Sequence, residues 1–571
     1  MPVPTGDPLR KIEDLMRART CKFSFEAAHP DSVDKIISSL SNSKAFGLDN
    51  IDTYIVKLIK AEILPAITHV INLSLSSKKF PTAWKKSKVV PLHKNGDTLN
   101  PKNYRPVAIV QILSKILERI VFNQMIQYLS QNDLLHPNHH AYRAEHNTTT
   151  ALVQMYDGWV QAVECEQLAG ACMLDMSAAF DLVDHELLIQ KLALYGFDDN
   201  FLGWIRSYLS DRSQSVIIEG SLSKLLPVDT GVPQGSILGP LLYTIFTNEL
   251  PEIIHGAGGQ VADPHHPGGW PAYHLGDDQA GSICCYADDT TLTCTDFLPA
   301  NLSMKLTNQY KIVADYMKNN KLKLNDEKTN LVVMGSSQSK SRTEATKLVE
   351  IRTPTETIKP TNSQKLLGCW IASTLKWSDQ IRDNEENLIK SLNTRLGALK
   401  RISKVASFKN RKMLANGIFM SKLTYLIALW GGCGTGLKRS LQMIQNKVAR
   451  VVTRLDWSTP SEILLKQIDW LSVNQLIFFH SVLLVYKVSQ NQIPKYLHKM
   501  FDTPYTYDTR QARGGQIRLM VKPRLELGKN NFRCRGANQF NQLPEVIRTS
   551  PTILIFKRQA KDWIRRNVSF Q

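Results

Sequence analysis

The chain has 571 residues, a formal charge of +19 and a sequence pI of about 9.4. Its 43% hydrophobic and 21% charged residues match a globular protein that buries a sizeable core, and they exclude a disordered or fibrous chain. No apolar run reaches the roughly 18 residues that a membrane span needs.

A chain of this size holds several subdomains, since single cores stop growing well below it. The basic excess points to a polyanionic partner; a merely basic soluble protein is the alternative that composition leaves open. The nine cysteines are scattered, odd in number and without C-x2-C spacing, which speaks against a disulfide framework or a zinc site and for a reducing compartment. Met1-Pro2-Val3-Pro4 begins no signal peptide. The expectation is a soluble intracellular protein of the nucleus or cytoplasm, with no membrane partner.

Along the chain, Val33, Ile36, Ile37 and Leu40 follow helical spacing, with Asp31 or Ser32 as cap. Residues 52–64 and 66–77 read as two helices divided by Pro65. The basic stretch Phe80 to Lys94 leads into a strand, Asn95-Gly96-Asp97 signals a turn, and the return passes through Tyr104-Arg105-Pro106. Ile112, Ile116 and Ile120 mark an amphipathic helix. His136, His139 and His140 lack helical or cysteine partners, so loop polarity is preferred to a metal site.

Ala171 to Leu174 reads as a buried strand ending in Asp175. Helix 184–195, the strand at Val216–Ile218, a constrained Gly231-Val232-Pro233-Gln234-Gly235 loop and an apolar helix 237–250 follow. Residues 255–282, rich in Gly, Pro and His, read as a mobile loop rather than a metal site. Ser336 to Lys347 is polar and reads as a loop. From about 376 the pattern turns helical: Leu388, Leu392, Leu396, Leu399 and Ile402 share one face, and Leu441, Ile444, Val448 and Val451 share another. On that last helix Arg439, Lys447, Arg450 and Arg454 form a basic stripe suited to a phosphate backbone, or a merely solvated face. Residues 501–571 hold 14 Lys/Arg against 5 Asp/Glu.

The stretch Cys284-Cys285-Tyr286-Ala287-Asp288-Asp289-Thr290-Thr291-Leu292 reads as a hairpin with two acids at its tip. Such close like charges need a cation, or one keeps its proton. Asp175, delivered by the earlier strand, would complete an oxygen-only cup suited to Mg2+, or to Mn2+ as a substitute. Two metals held this way catalyse in-line phosphoryl displacement.

These residues carry a resemblance. Tyr286-Ala287-Asp288-Asp289 resembles the signature of reverse transcriptases, and Leu174-Asp175 through Phe180-Asp181 resembles their first palm motif. Thr230-Gly231-Val232-Pro233-Gln234-Gly235-Ser236 resembles the motif of non-LTR (LINE-type) retrotransposons, and Phe540-Asn541-Gln542-Leu543-Pro544 with Phe556-Lys557 resembles the terminal region of CR1/Jockey-like elements. The resemblance runs from about residue 43 to the C-terminus.

It implies an α/β (α+β) right-hand polymerase: an N-terminal helical extension 1–68, fingers 69–170, a palm 171–375, a helical thumb 376–500 and a basic C-terminal segment 501–571, with the reverse transcriptase domain over about 75–372. It implies RNA-directed DNA synthesis with RNA template, DNA primer or target, and dNTPs as partners. Asp175 and Asp288, with the carbonyl of Met176, would hold two Mg2+ ions, and Asp289 would add charge. Lys94, Arg105 and Lys328 would face the triphosphate, with Gln234 and Gly235 against the nascent base pair. Phe180 would exclude a ribose 2′-hydroxyl. Leu367, Gly368 and Trp370 would form a primer grip. Arg143 would contact template, and Lys447, Arg450 and Arg454 the backbone. No room is seen upstream for an endonuclease domain. The alternatives are a catalytically silent nucleic-acid-binding remnant and an RNA-dependent RNA polymerase.

Overall fold

The computed structural model describes residues 8–17, 19–42, 45–94, 96–256, 282–336, 340–501 and 523–570. Most of the insertion 255–282, and the part of the basic C-terminal segment at 502–522, lie outside the described residues. The fold is mixed α/β. One sheet runs β2–β1–β4–β5, with β6 also on β4, where β1 is Lys86–His93, β2 Tyr104–Ile109, β4 Arg212–Ile218, β5 Ser221–Leu222 and β6 Leu226–Val228. A second sheet runs β7–β8–β3–β9, with β3 Leu168–Leu174, β7 Ser282–Tyr286, β8 Asp289–Asp296 and β9 Asn330–Met334. Two small hairpins follow, β10 (Ile351–Arg352) with β11 (Thr357–Ile358), and β12 (Ser363–Leu366) with β13 (Cys369–Ala372).

The chain divides into two compact units. The first comprises 1–142, 174–291 and 308–328. In it β1 and β2 form the expected antiparallel hairpin, with Leu92 opposite Arg105 and His93 opposite Tyr104. Helix Ile112–Gln131 buries Ile112, Ile116, Leu117 and Ile120. Helix Pro30–Ser39 is capped by His29, whose side chain accepts from the Asp31 N–H, so neither Asp31 nor Ser32 is the cap. Pro30 takes the first helical position, where its missing N–H costs nothing.

Two further corrections concern this unit. The break expected at Pro65 falls at Ile59, and Pro65 lies inside helix Lys60–Ser76. Pro65 is the sixth residue of that helix; it forgoes one backbone bond and the helix continues through it. The single helix expected over 237–250 is two, Gly239–Phe246 and Leu250–Gly256. Asn248 and Glu249 between them are fully buried and turn inward for polar partners. The Asn248 amide donates to the Leu134 carbonyl at 2.8 Å and the Tyr195 hydroxyl at 2.7 Å. Satisfying buried polar groups outweighs the helical continuation that hydrophobicity alone suggests.

The second unit comprises 143–173, 292–307 and 329–571. β3 is buried along its whole length and pairs antiparallel with β9, Ala169 opposite Met334. Leu388, Leu392, Leu396 and Leu399 line the buried face of helix Leu388–Ser403, but Ile402 at its end is 40% exposed and leaves that face. The loop expected at 336–347 contains a helix, Lys340–Lys347, whose exposed polar residues hide it from a periodicity reading. The C-terminal stretch is helical at Phe532–Gln542 and Ile553–Asn567. Phe540, Phe556 and Ile564 are buried there, and Phe556 stacks on Tyr486 at 4.0 Å. Beyond residue 522 the segment is thus folded core as well as a carrier of charge.

Candidate active site

Asp175 is the first residue after β3, where the chain leaves its buried strand and the side chain becomes half-exposed. Its carbonyl accepts the N–H of Asn325 at 2.9 Å, and Ser177 donates to the carbonyl of Lys323 at 3.0 Å. These bonds set Met176 opposite Leu324 in an antiparallel bridge. In that pairing Met176's own carbonyl is not used.

The second acidic element is the turn between β7 and β8. Ala287 occupies the left-handed region there, at φ 58°, and Asp288 follows it. A non-glycine residue in that region is a local strain of the kind found at functional sites. The outer edge of β7 is covered by the histidine loop: the His140 N–H donates to the Cys285 carbonyl at 2.8 Å, and the Cys285 N–H to that of Asn138 at 2.9 Å. His136, His139 and His140 are buried, so they are structural members of this edge cover rather than loop polarity.

Burial and neighbouring carboxylates raise both Asp175 and Asp289. Asp289 keeps exposed surface, yet the protein mass around it, with Asp288 and Asp175 beside it, pushes its carboxyl up to about 6. Arg105 acts in the opposite sense on Asp289. Desolvation raises Asp175, Lys328 and Lys94 pull it back, and Asp288 adds to the rise. None of the three makes a salt bridge or side-chain hydrogen bond among the described residues. Among those residues no group of three His, Cys, Asp or Glu side chains is drawn together tightly enough to hold an ion. The donor set is all oxygen, its charges oppose one another, and cations act on it only through space. That chemistry fits a divalent hard cation.

Lys94 and Arg105 lie exposed on the β1–β2 hairpin, and Lys328 in the short turn before β9. Phe180 is half-buried, its ring 4.6 Å from that of Tyr243. The Tyr243 hydroxyl donates to the Met176 sulfur at 3.1 Å. Gln234 points its amide nitrogen at both carboxylate oxygens of Asp181, 3.0 Å each. Gly235 has φ 125°, and a Cβ on it would fall 2.2 Å from the Ala108 carbonyl oxygen. Only glycine fits that approach. Asp181, Tyr243 and Asn325 carry this geometry, and spacing gave no sign of their roles.

In the second unit, Leu367 (φ 46°) and Gly368 (φ 76°) make the turn between β12 and β13. The Tyr425 hydroxyl donates to the Leu367 carbonyl at 2.7 Å, and the Trp370 N–H to Gln380 Oε1 at 2.9 Å. Arg143 is half-buried, and its charge lowers the pKa of His146 after burial has done most of the work. Lys447 is exposed on helix Thr435–Thr453. The basic stripe needs correcting at its end: Arg454 lies past the helix as its left-handed cap, at φ 58°. It donates to the carbonyls of Ser403 and Lys404, and Arg450 to those of Trp457 and Thr459. These two guanidiniums hold neighbouring loops.

The mixed α/β fold carries an acidic turn and a strand-end aspartate on one sheet, an arrangement that suits metal-assisted phosphoryl transfer. The family is narrower: residues 92–371 match the family model described as reverse transcriptase (RNA-dependent DNA polymerase). The chain therefore carries a reverse transcriptase domain of the non-LTR retrotransposon kind. It is 25% identical over 452 residues to the probable RNA-directed DNA polymerase from transposon BS of Drosophila melanogaster, covering 79% of this chain and 47% of that one. It is 28% identical over 285 residues to the RNA-directed DNA polymerase from mobile element jockey of the same species, covering 50% and 29%. With the type-1 retrotransposable element R2 Pol polyprotein of Popillia japonica it shares 27% over 202 residues, 34% and 28% of the two chains. The chain spans about half the length of the first of these relatives, or less of the others. No described helix is long and apolar enough to cross a membrane.

Proposed function

We propose that this chain extends a DNA 3′ end on an RNA template, using dNTPs, as the polymerase of a retrotransposon. The observation that carries the reading is the set of three unpaired carboxylates, Asp175, Asp288 and Asp289, in mutual electrostatic reach and overlooked by Lys94, Arg105 and Lys328. In this reading the chain is a right hand: fingers over 69–170, palm over 171–375 and helical thumb over 376–500, after an extension 1–68 and before a basic segment 501–571.

Asp175 and Asp288, with the unused carbonyl of Met176, would hold two Mg2+ ions. Bound there, such ions activate a 3′-hydroxyl and stabilise departing pyrophosphate. The protein's own share is positioning and charge. Lys94, Arg105 and Lys328 neutralise the triphosphate as it approaches three acids. Asp289 keeps the site negative enough to retain its cations. Phe180, braced on Tyr243, lies where a sugar edge is discriminated, and Gln234 and Gly235 stand by the base pair. Leu367, Gly368 and Trp370 support the primer end. Arg143 contacts the template and Lys447 the nucleic-acid backbone, with Arg450 and Arg454 contributing through the loops they hold.

Primer extension on poly-rA/oligo-dT with Mg2+ tests the reading. Template-dependent dTMP incorporation is expected. A folded, template-binding chain that incorporates nothing would overturn it.

A further inference from the structure

The loop Thr230–Gly235 is tied to the backbone of residues 180–183 along its length. The Val232 N–H donates to the Phe180 carbonyl at 2.8 Å, the Gly231 N–H to that of Val183 at 2.9 Å, and the Thr230 hydroxyl to that of Asp181 at 3.1 Å. Gly231, at φ 80°, permits this contact, because a Cβ there would lie 2.6 Å from the Asp181 Cα. Among the described residues, the link between two side chains in the set is that of Gln234 to Asp181. A carboxylate only accepts, so the nitrogen end of the amide must face it. The amide oxygen of Gln234 is left without a partner among the described residues. Asp181, Gln234, Thr230 and Val232 also line a cleft of about 320 Å3.

We infer that Asp181 is a positioning residue: it fixes which way the Gln234 amide faces, so that an acceptor oxygen meets a hydroxyl or amino donor of the incoming nucleotide. The inference rests on the polymerase reading above and deepens it. An unrestrained amide presents nitrogen and oxygen about equally, and half of its orientations oppose a donor. The charged acceptor selects one of them, since hydrogen bonds to ionised groups are about twice as strong as neutral ones. The same clamp holds the loop to the residue that follows Phe180, so sugar and base contacts keep a fixed spacing.

The test uses the full chain and two measurements. In primer extension, Asp181→Ala should raise KM for dNTP roughly tenfold and keep kcat within about threefold, the signature of lost ground-state positioning. Gln234→Glu sets two carboxylates face to face and should be worse. Adding Asp181→Asn to Gln234→Glu reverses the donor and acceptor, keeps an acceptor oxygen at 234, and should recover most of the lost KM. Hydrogen exchange on the chain without nucleotide reads the clamp itself: amides 231–236 should exchange faster in Asp181→Ala and return towards wild type in the reversed pair. Unchanged exchange and unchanged KM in Asp181→Ala would overturn the inference, as would a reversed pair no better than Gln234→Glu alone. A wild-type chain that incorporates nothing while Asp181→Ala still loosens the loop would overturn the polymerase reading and uphold the clamp.

Discussion

The ammonium of Lys191 forms an ion pair with the carboxylate of Glu249, and both side chains are fully buried. Lys191 also donates to the Phe246 carbonyl and to Asn320 Oδ1, each at 2.5 Å, and the Tyr316 hydroxyl donates to Glu249 at 3.0 Å. Burial lowers the Lys191 pKa against the pull of Glu249, and raises that of Glu249 against the pull of Lys191. The pair thus joins the helix His185–Leu194 to the turn after helix Gly239–Phe246. Removing one partner strands a buried charge. Lys191→Met is expected to destabilise the chain by about 3–5 kcal/mol, whereas Lys191→Met with Glu249→Leu should cost much less. Urea unfolding of the two variants checks this; equal losses would mean that packing, not charge, sets the cost.

For the chemistry, Asp175→Asn and Asp288→Asn should each lower extension by at least about 1,000-fold, on the order of 4 kcal/mol of barrier. Their affinity for an RNA–DNA duplex should stay close to wild type, because phosphate contacts lie elsewhere. Chelation of divalent ions should abolish extension of the wild type, and added Mg2+ should restore it. Single-turnover extension beside filter binding separates the two effects. Retained turnover in either variant removes these acids from the centre of the mechanism.

Asp289 gives a pH dependence. Its folded carboxyl titrates at about 6 against an ordinary 3.8. The folded state therefore binds this proton more tightly than the unfolded state. The stability gained is fully present below pH 3.8 and is lost as pH rises through about 6. At pH 7.5 the ionised carboxylate is a burden on the metal-free fold. Because the group keeps exposed surface, solvent screening reduces the burden to on the order of 1 kcal/mol. Asp289→Asn should raise the metal-free Tm at pH 7.5, and the gain should vanish near pH 4. Saturating Mg2+ should narrow it at pH 7.5. A Tm difference independent of pH would locate the effect in packing.

Much of this was readable from residue order, because strand patterning and turn chemistry are local. Asn95-Gly96-Asp97 marked the β1–β2 hairpin, and the apolar runs flanking Ala287-Asp288 marked the acidic turn. What escaped was set by tertiary partners. Asn248 and Glu249 look like the end of an apolar helix until Tyr195 and Lys191 appear opposite them. Arg450 and Arg454 look like a phosphate stripe until the carbonyls of Trp457 and Ser403 take their guanidiniums. The pairing of Asp181 with Gln234 spans 53 positions, and no spacing rule encodes it.

The sugar gate is the sharpest remaining test. The Phe180 ring is half-buried and leans on Tyr243 at 4.6 Å with 32° between the planes, so its position is fixed from behind. Its carbonyl is held by the Val232 N–H, which fixes the backbone as well. A ring so restrained cannot move aside for a 2′-hydroxyl. Overlap of that kind costs on the order of 1–3 kcal/mol even in adaptable surroundings. Phe180→Ala should therefore raise rNTP incorporation relative to dNTP at least about tenfold, through kcat/KM for the ribonucleotide. Loss of the ring also removes a partner from Tyr243, with a stability cost of about 1–3 kcal/mol. Phe180→Val keeps more of that packing and should show a smaller gain in rNTP use. Thermal melting beside competitive incorporation of rNTP and dNTP separates the effects. A folded Phe180→Ala enzyme that still rejects ribonucleotides would place the gate on another residue of the site.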